Sequence, residues 1–361
     1  MVKGLSIKKL ILLLSAVLTF ILFWVVRGVT VSRINALQDQ QVAERWAEDG
    51  GYAQISVFAS RTAYLDPDTL MNFEYSLKDN LKKESIENKS ENPEARIISS
   101  CYTADGNLYV KSAYASLDIK AVGVGGDFFS FHQLELLGGG YFTERDLNDD
   151  YCVLDEVAAW KLFGSNDICG QVLYVGEVPL IVRGVVAQPE DKISRDAGAG
   201  KEMCYVSYNY LKEHGSVNGI TDYEIVMPNP VPGYALEKVK RLIGLSEKDM
   251  VIVENSDRFS LVNRWYLLKN YSTRSMVTQD ISYPWWENVA RSTEDQVMRL
   301  TLLYFIFIIY TVIVILILLI VLIVQNRELI EALFMAYVVG GIKRLFTRRG
   351  GREEKNEEEN D

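Results

Sequence analysis

The chain is poor in residues grouped to do covalent chemistry. Its two histidines, His132 and His214, stand far apart, which gives no footing to a histidine-based metal site or a Ser-His-Asp triad. No G-x-x-x-x-G-K-[ST] segment occurs, and Gly123-Val124-Gly125-Gly126 matches neither that phosphate-binding pattern nor G-x-G-x-x-G, so no P-loop ATPase is expected here. Asp127, Glu144, Asp146, Asp149 and Asp150 form an acidic patch in sequence, readable as solvated turns or as a Ca²⁺ site. Four cysteines, Cys101, Cys152, Cys169 and Cys204, complete the inventory. The expectation is a chain with no catalytic residue, no cofactor and no bound metal.

The elements around these residues point to a membrane. Leu300 to Val324 carries no charge, proline or glycine. At about 1.5 Å per residue it is roughly 37 Å long, more than the ~30 Å hydrocarbon layer. A second apolar run, Leu10 to Val26, follows Lys3, Lys8 and Lys9 and precedes Arg27. It reads as a signal-anchor; a cleaved signal peptide is the rival, and against that rival the run is long for an h-region and no small-x-small site follows Arg27. Arg327, Lys343, Arg344, Arg348, Arg349 and Arg352 lie beyond Val324. The excess of positive charge puts both ends in the cytoplasm and residues 30–299 outside, where disulfides are permitted. Net charge is −10, which argues against nucleic acid as a partner.

The outer region reads as mixed α+β. The spacing of Val31, Ile34 and Leu37 extends the first helix as a stalk towards Gly50-Gly51, with a flexible tether as the alternative. Tyr52 to Ser60 reads as a strand. Asp66-Pro67-Asp68 opens a helix whose Leu70, Phe73, Leu77 and Leu81 share one face, and Ala95 to Tyr102 closes a βαβ unit. The pattern returns at Tyr223–Met227, Pro232–Ile243 and Met250–Val253. Two halves so far apart suggest a split βαβ lobe with a second lobe inserted. The insert is strand-rich: 108–110, 119–124, 151–155, 172–175, 180–186 and 203–207, with a short helix over Glu156–Phe163 and turns at Asp105-Gly106 and Gly138-Gly139-Gly140. After it, a helix is expected over Phe259–Tyr271, capped near Ser256 or Asp257. Pro284-Trp285-Trp286-Glu287 can open another, its tryptophans packing between lobes or belting the membrane interface. Ser292-Thr293-Glu294-Asp295 reads as a cap for the last turn before the membrane.

Within the insert the sequence becomes specific. Leu136-Leu137-Gly138-Gly139-Gly140-Tyr141-Phe142-Thr143-Glu144-Arg145-Asp146, then Cys152-Val153-Leu154-Asp155-Glu156, Ala158 to Gly164, Asp167-Ile168-Cys169-Gly170-Gln171 and Val178 to Val186 resemble, in order and spacing, the periplasmic core domain of MacB/FtsX-type ABC permeases. Gly140, Ile168 and Gln171 stand where that family usually has Arg, Pro and Lys. The resemblance implies a sabre-like lobe (108–210) inserted in a porter-like lobe (51–107 and 211–256). These sit between a transmembrane helix at 10–27 with its stalk (28–50) and stalk helices at 257–299 leading to a second transmembrane helix (300–324). Residues 1–9 are a cytoplasmic N-terminus. Cys152 and Cys169 occupy positions that are apolar in the family. They are either small core residues or, as the best disulfide guess, a pair.

The segment after the membrane resembles the family's coupling helix, which rests on the ATPase. Arg327, Glu328, Ile330, Glu331, Leu333, Gly340, Gly341, Lys343 and Arg344 are the candidate coupling residues of an amphipathic 325–346, with a lipid-facing anchor as the alternative. Residues 347–361 are basic, then acidic, and read as a disordered charged tail. The family normally has two further membrane helices. The resemblance therefore implies a permease-like subunit working with a separate ABC ATPase and either a second permease subunit or a self-dimer. A two-pass receptor or scaffold binding a peptide, lipid or protein outside the cell, without ATP coupling, is the other reading.

Overall fold

The structure is a computed structural model that describes residues 6–47, 50–63, 65–86, 95–143, 146, 149–217, 219–271, 281–328, 330–332, 334–335 and 337. It divides into two compact units, 1–30 with 300–361, and 31–299.

The first unit is built from the apolar parts of helices α1 (Ile7–Asn35) and α10 (Trp285–Gln325). Both are long and apolar enough to cross a membrane, and most of their aliphatic side chains face outward. They run antiparallel. Lys9 Nζ donates to Gln325 Oε1, Ser15 Oγ bonds Tyr310 OH at 3.0 Å, Thr19 Oγ1 bonds Thr311 Oγ1 at 2.8 Å, and the Phe23 and Tyr304 rings meet at 5.8 Å. Small hydroxyl residues let the backbones approach and supply the interhelical bonds that an apolar solvent rewards.

The second unit is one large mixed sheet. In chain order its elements are α2 (Val42–Trp46), β1 (Tyr52–Ala59), α3 (Pro67–Lys83), β2 (Ser99–Lys111), β3 (Ser116–Gly126), α4 (Phe128–Phe131), β4 (Leu136–Gly139), β5 (Tyr151–Asp155) and α5 (Glu156–Phe163). There follow β6 (Val172–Val175), β7 (Val178–Val186), α6 (Lys192–Ser194), β8 (Met203–Ser207), α7 (Tyr208–His214), β9 (Ser216–Val217), β10 (Asp222–Pro228), α8 (Tyr234–Leu242), β11 (Met250–Glu254) and α9 (Leu261–Lys269). The strand order is β11-β1-β10-β2-β3-β8-β5-β7-β4, with β6 beside β2 and β7, and β9 beside β2. β10 lies between β1 and β2 and is antiparallel to both. β1 likewise lies antiparallel between β10 and β11.

Side-chain alternation gives this sheet two different faces. Ile55 and Val57 of β1 and Tyr223, Ile225 and Met227 of β10 point to one face. There they bury Leu70, Phe73, Leu77 and Leu81 of α3 and Ala235 and Val239 of α8. α3 starts where the sequence places it: Asp66 caps it, accepting from Thr69 N at 2.7 Å, and Pro67 follows. A second core joins β5, β7 and β8 to α5 and α7 through Leu154, Ala159, Leu162, Val182, Val206 and Leu211. The other face of β1 and β10 carries Gln54, Ser56, Asp222 and Glu224 beside Phe58 and Val226, and it forms the site described below.

Several local expectations are corrected. Asp105-Gly106 is no turn: β2 runs through it and pairs with β3 from Cys101↔Gly126 to Lys111↔Ser116, so both cores share one sheet. Gly106 is needed for a close approach, since a Cβ there would stand 2.2 Å from Ser216 O. Gly138 and Gly139 belong to edge strand β4. A Cβ on Gly139 (φ +73°) would meet Arg183 O at 2.2 Å, so glycine marks crowding against β7. α1 ends at Asn35 rather than near Gly50, and a 3₁₀ turn (Gln38–Gln40) and α2 follow. Ser260 caps α9, not Ser256 or Asp257, and Ser292–Asp295 lies inside α10.

Candidate functional site: a buried charged joint

The polar face of the sheet is covered by the two chain segments that lead to the apolar helices. Gln54 and Ser56 of β1 and Asp222 and Glu224 of β10 point there and are buried. Asp39 and Gln40, just after α1, His132 at the end of α4, Asn255 and Arg258 after β11, and Trp286, Glu287 and Glu294 of α10 close over them.

Two knots of contacts result. In the first, Arg258 forks onto Glu287, with Nη1 to Oε2 at 2.7 Å and Nη2 to Oε1 at 2.8 Å. Its Nε reaches Glu294 Oε1 at 2.6 Å. The same guanidinium donates to Gln40 Oε1 at 3.0 Å and to Asn255 Oδ1 at 3.3 Å. Arg291 Nε adds a 2.8 Å bond to Glu287 Oε1. The Arg258 side chain is 3 % exposed and that of Glu287 1 %. Planar bidentate pairing suits arginine, and it is what makes burial of these charges tolerable. Asn255 Nδ2 donates to Ser56 Oγ at 2.7 Å, tying the knot to the sheet.

The second knot surrounds Glu224. Its carboxylate accepts from Gln54 Nε2 at 2.8 Å and Trp286 Nε1 at 3.2 Å, and lies 3.2 Å from His132 Nε2. His132 Nδ1 faces Asp39 Oδ1 at 3.5 Å, and its ring packs on Trp286 at 4.3 Å and Phe128 at 4.8 Å. Burial opposes the imidazolium, but Glu224 and Asp39 outweigh it and hold the His132 pKa well above the usual histidine value. Asp222 is pushed the other way for a carboxylate: burial first, then nearby Glu224, raise its pKa well above the ordinary range. Gln54 also donates to Asp39 O at 2.7 Å and accepts from Val42 N at 3.0 Å, holding the post-α1 segment to the sheet.

These groups are buried and mostly paired, so they clamp rather than react. Elsewhere, a groove of about 360 Å³ is lined by Glu135, Asp155, Glu156, Glu190, Tyr205 and Trp285 among others, with no Lys or Arg in its lining. Burial raises the Asp155 pKa, although the carboxylate caps α5 through Ala158 N at 2.7 Å. Among the described residues no group of three or more His, Cys, Asp or Glu is disposed to hold a metal. Asp127 of the acidic patch instead accepts from Arg96 Nη1 at 2.6 Å, and Asp149 from Asn209 Nδ2 at 3.3 Å.

Of the coupling candidates, Arg327, Glu328, Ile330 and Glu331 are helical and exposed, with Arg327 Nε bonded to Glu331 Oε1 at 2.8 Å. Leu333, Gly340, Gly341, Lys343 and Arg344 lie outside the described residues. The structure does not bridge Cys152 and Cys169: all four cysteines are free, Cys169 is exposed, and Cys152 is buried. Burial and the neighbouring Cys204 thiol raise the Cys152 pKa well above its ordinary value. Sequence reasoning missed Arg258, Gln54, Asp222 and Glu224, passed over His132, and read Glu294 as a cap. The available signal was the pairing of two acidic residues with strongly apolar neighbours in one strand, Asp222-Tyr223-Glu224-Ile225-Val226.

The chain thus combines a sheet-rich domain, with this joint inside it, and two membrane-capable helices. Residues 20–241, more than half of the chain, match the model of the MacB-like periplasmic core domain, and the chain belongs to that family, which places it among MacB/FtsX-type ABC transporter permeases. It is 40 % identical over 91 residues to the macrolide export ATP-binding/permease protein MacB of Chromobacterium violaceum, covering 24 % of this chain and 13 % of that protein. MacB 2 of Aeromonas hydrophila is 37 % identical over 87 residues, again 24 % and 13 % of the two chains. The matched stretch is thus a small part of each relative. Among solved structures, the periplasmic region of MacB from Actinobacillus actinomycetemcomitans aligns with a TM-score of 0.38 at 16 % identity, over 62 % of this chain and 94 % of that one. The extracellular domain of the transporter YknZ from Gram-positive bacteria gives 0.37 at 16 % identity, over 55 % and 99 %.

Proposed function

We propose that this chain is a membrane subunit of an ABC-type complex that relays motion from a separate cytoplasmic ATPase to its extracytoplasmic domain. The observation that carries the reading is Arg258. One buried guanidinium joins α10 to the sheet's flank and to Gln40, the segment that follows α1. Gln40 lies in the segment that continues α1, and Glu287 and Glu294 lie in α10 itself, so the chain continuations of both apolar helices meet at this one side chain. The antiparallel pairing of Lys9 with Gln325 and Phe23 with Tyr304 supports placing both termini on one side, and the flanking Lys and Arg favour the cytoplasm. Segments 51–107 and 211–256 then form the porter-like lobe and 108–210 the sabre-like lobe. Residues 325–346 dock on the ATPase, and a second permease subunit or a second copy completes the membrane part. The receptor reading, without ATP coupling, has the acidic 360 Å³ groove in its favour, which suits a cationic ligand.

The test is hydrogen exchange on the full chain in nanodiscs, together with any ABC ATPase that co-purifies with it from native membranes, with and without ATP and vanadate. Coupling predicts nucleotide-dependent protection within residues 31–299 that disappears in a chain lacking 325–361. The same protection with and without nucleotide would leave the receptor reading standing.

A further inference from the structure

Helix α9, Leu261–Lys269 (LVNRWYLLK), buries none of its residues. Yet it is well formed: Ser260 Oγ accepts from Asn263 N at 3.2 Å, and Asn270 N closes onto Tyr266 O at 3.1 Å. At about 100° per residue, Leu261, Trp265, Lys269, Val262 and Tyr266 fall within an arc of roughly 140°. All five are exposed, Val262 by 77 % and Trp265 by 58 %. A helix packed on a soluble core would bury such a stripe, as α3 does with Leu70, Phe73, Leu77 and Leu81.

Charge selects among coverings. In a chain of net charge −10, this helix carries Arg264 and Lys269 and no acidic residue. Lys269 Nζ lies 5.7 Å from the Trp265 ring, at the C-terminal end of the apolar stripe, where its stem can run along the apolar surface while its ammonium reaches phosphate. An anionic leaflet offers that ammonium, and Arg264, a uniform complement along the whole stripe. Position agrees. Arg258, three residues ahead of Leu261, is bonded to Glu294, and Glu294 is six residues before the apolar run begins at Leu300.

We propose that α9 is a membrane-surface helix. It lies in the headgroup region of an anionic leaflet with Leu261, Val262, Trp265 and Tyr266 towards the acyl chains and Lys269 at the phosphates. Tryptophan, tyrosine and a basic helix end are the composition that favours this depth. The inference rests on the reading that the chain spans a membrane, and the experiment separates the two.

Nitroxide labels are placed one at a time at Val262→Cys, Ile315→Cys and Trp160→Cys of the full chain. The background is Cys169→Ser, because Cys101, Cys152 and Cys204 are buried. The chain is held in nanodiscs of equimolar phosphatidylcholine and phosphatidylglycerol. Collision with oxygen and with a water-soluble nickel chelate is then compared. The label at 262 is expected to show an oxygen-to-nickel ratio several-fold above that at 160, approaching 315, and to fall towards 160 when Lys269→Glu is added. A ratio at 262 equal to that at 160, with 315 in lipid, overturns the inference and leaves the membrane reading intact. A low ratio at 315 overturns both. Dipolar broadening at 262 with neither reagent admitted also overturns it, and assigns the face to a second copy.

Discussion

Removing the Arg258 guanidinium should be among the costliest single changes in residues 31–299. Arg258→Ala leaves Glu287 with Arg291 alone and takes from Glu294 its 2.6 Å bond to Arg258 Nε, both carboxylates inside a joint where Glu287 is 1 % exposed. Breaking a buried pair from one side costs about 3–5 kcal/mol, because the surviving charge stays desolvated. For a domain of this size each kcal/mol moves the melting temperature by roughly 2–4 °C, so a drop on the order of 6–20 °C is expected. The assay is thermal unfolding of the full chain in nanodiscs, followed by tryptophan fluorescence, since Trp286 sits on the neighbouring knot. Arg258→Lys keeps the charge but loses the fork and should recover only part of the loss. The triple change Arg258→Met, Glu287→Gln, Glu294→Gln removes the unpaired charges and should recover more than the lysine. An Arg258→Ala protein within ~1 kcal/mol of wild type, or a triple variant less stable than the single, would refute the claim that unpaired burial sets the cost.

The second knot makes stability pH-dependent. A histidine whose folded pKa is raised contributes stability that is complete below its unfolded value near 6.5 and is lost as pH rises through the folded one. Urea unfolding of the full chain should therefore weaken from neutral into alkaline pH, and His132→Gln should flatten that slope. The raised Asp222 pKa has the same sign, with its stability fully present below about 3.8 and lost as pH rises through the folded value. Leu77→Ala empties a fully buried position under the sheet and should cost about 2–5 kcal/mol in the same titration. A maleimide should label Cys169 alone in the native chain, the other three thiols reacting only after denaturation. Labelling of Cys204 at the rate of Cys169 would mean that the second core is open. Gly139→Ala, forced against Arg183 O, should loosen β4 from β7 and speed amide exchange at Gly140, whose N–H bonds that same oxygen at 3.1 Å.

What was legible in the sequence followed from periodicity and composition. The α3 stripe, the Asp66-Pro67 start, the β5-α5 step and the two apolar helices each have one dominant cause acting within a few residues. The joint did not show, because it violates the rule that makes the rest readable. On β1 and β10 the alternation says that Gln54, Ser56, Asp222 and Glu224 face water, and they are buried. Only partners far off in sequence reverse the assignment: His132, Trp286, and Arg258 with its acids. The same distance hides the role of Trp286, which in sequence suits a membrane belt as well as packing between lobes and is 2 % exposed against His132 and Phe128. Gly106 misled for a related reason. A glycine in a strand-rich stretch reads as a turn, and here it admits β9 against β2.

The continuous pairing of β2 with β3 limits how this domain can move. Cores that were expected to belong to separate lobes are joined by eleven consecutive residue pairs, and β3 carries the parallel β8 on its far side. A hinge between the cores would have to break several ladder bonds, each worth about 1 kcal/mol net, and expose the residues packed beneath them. The joint, in contrast, is held by side chains, with Gln40 and Asn255 in short 3₁₀ turns and Arg258 just after one, and a rotamer change at Arg258 would break its bond to Glu294 without breaking any strand. Opening within residues 31–299 should therefore begin at the joint, around Gln40, Asn255 and Arg258, before it reaches the sheet. Hydrogen exchange separates the two modes. Loosening of the joint changes protection around 36–46 and 255–260 and leaves 101–111 and 116–126 untouched, whereas a hinge between the cores exposes those strands first.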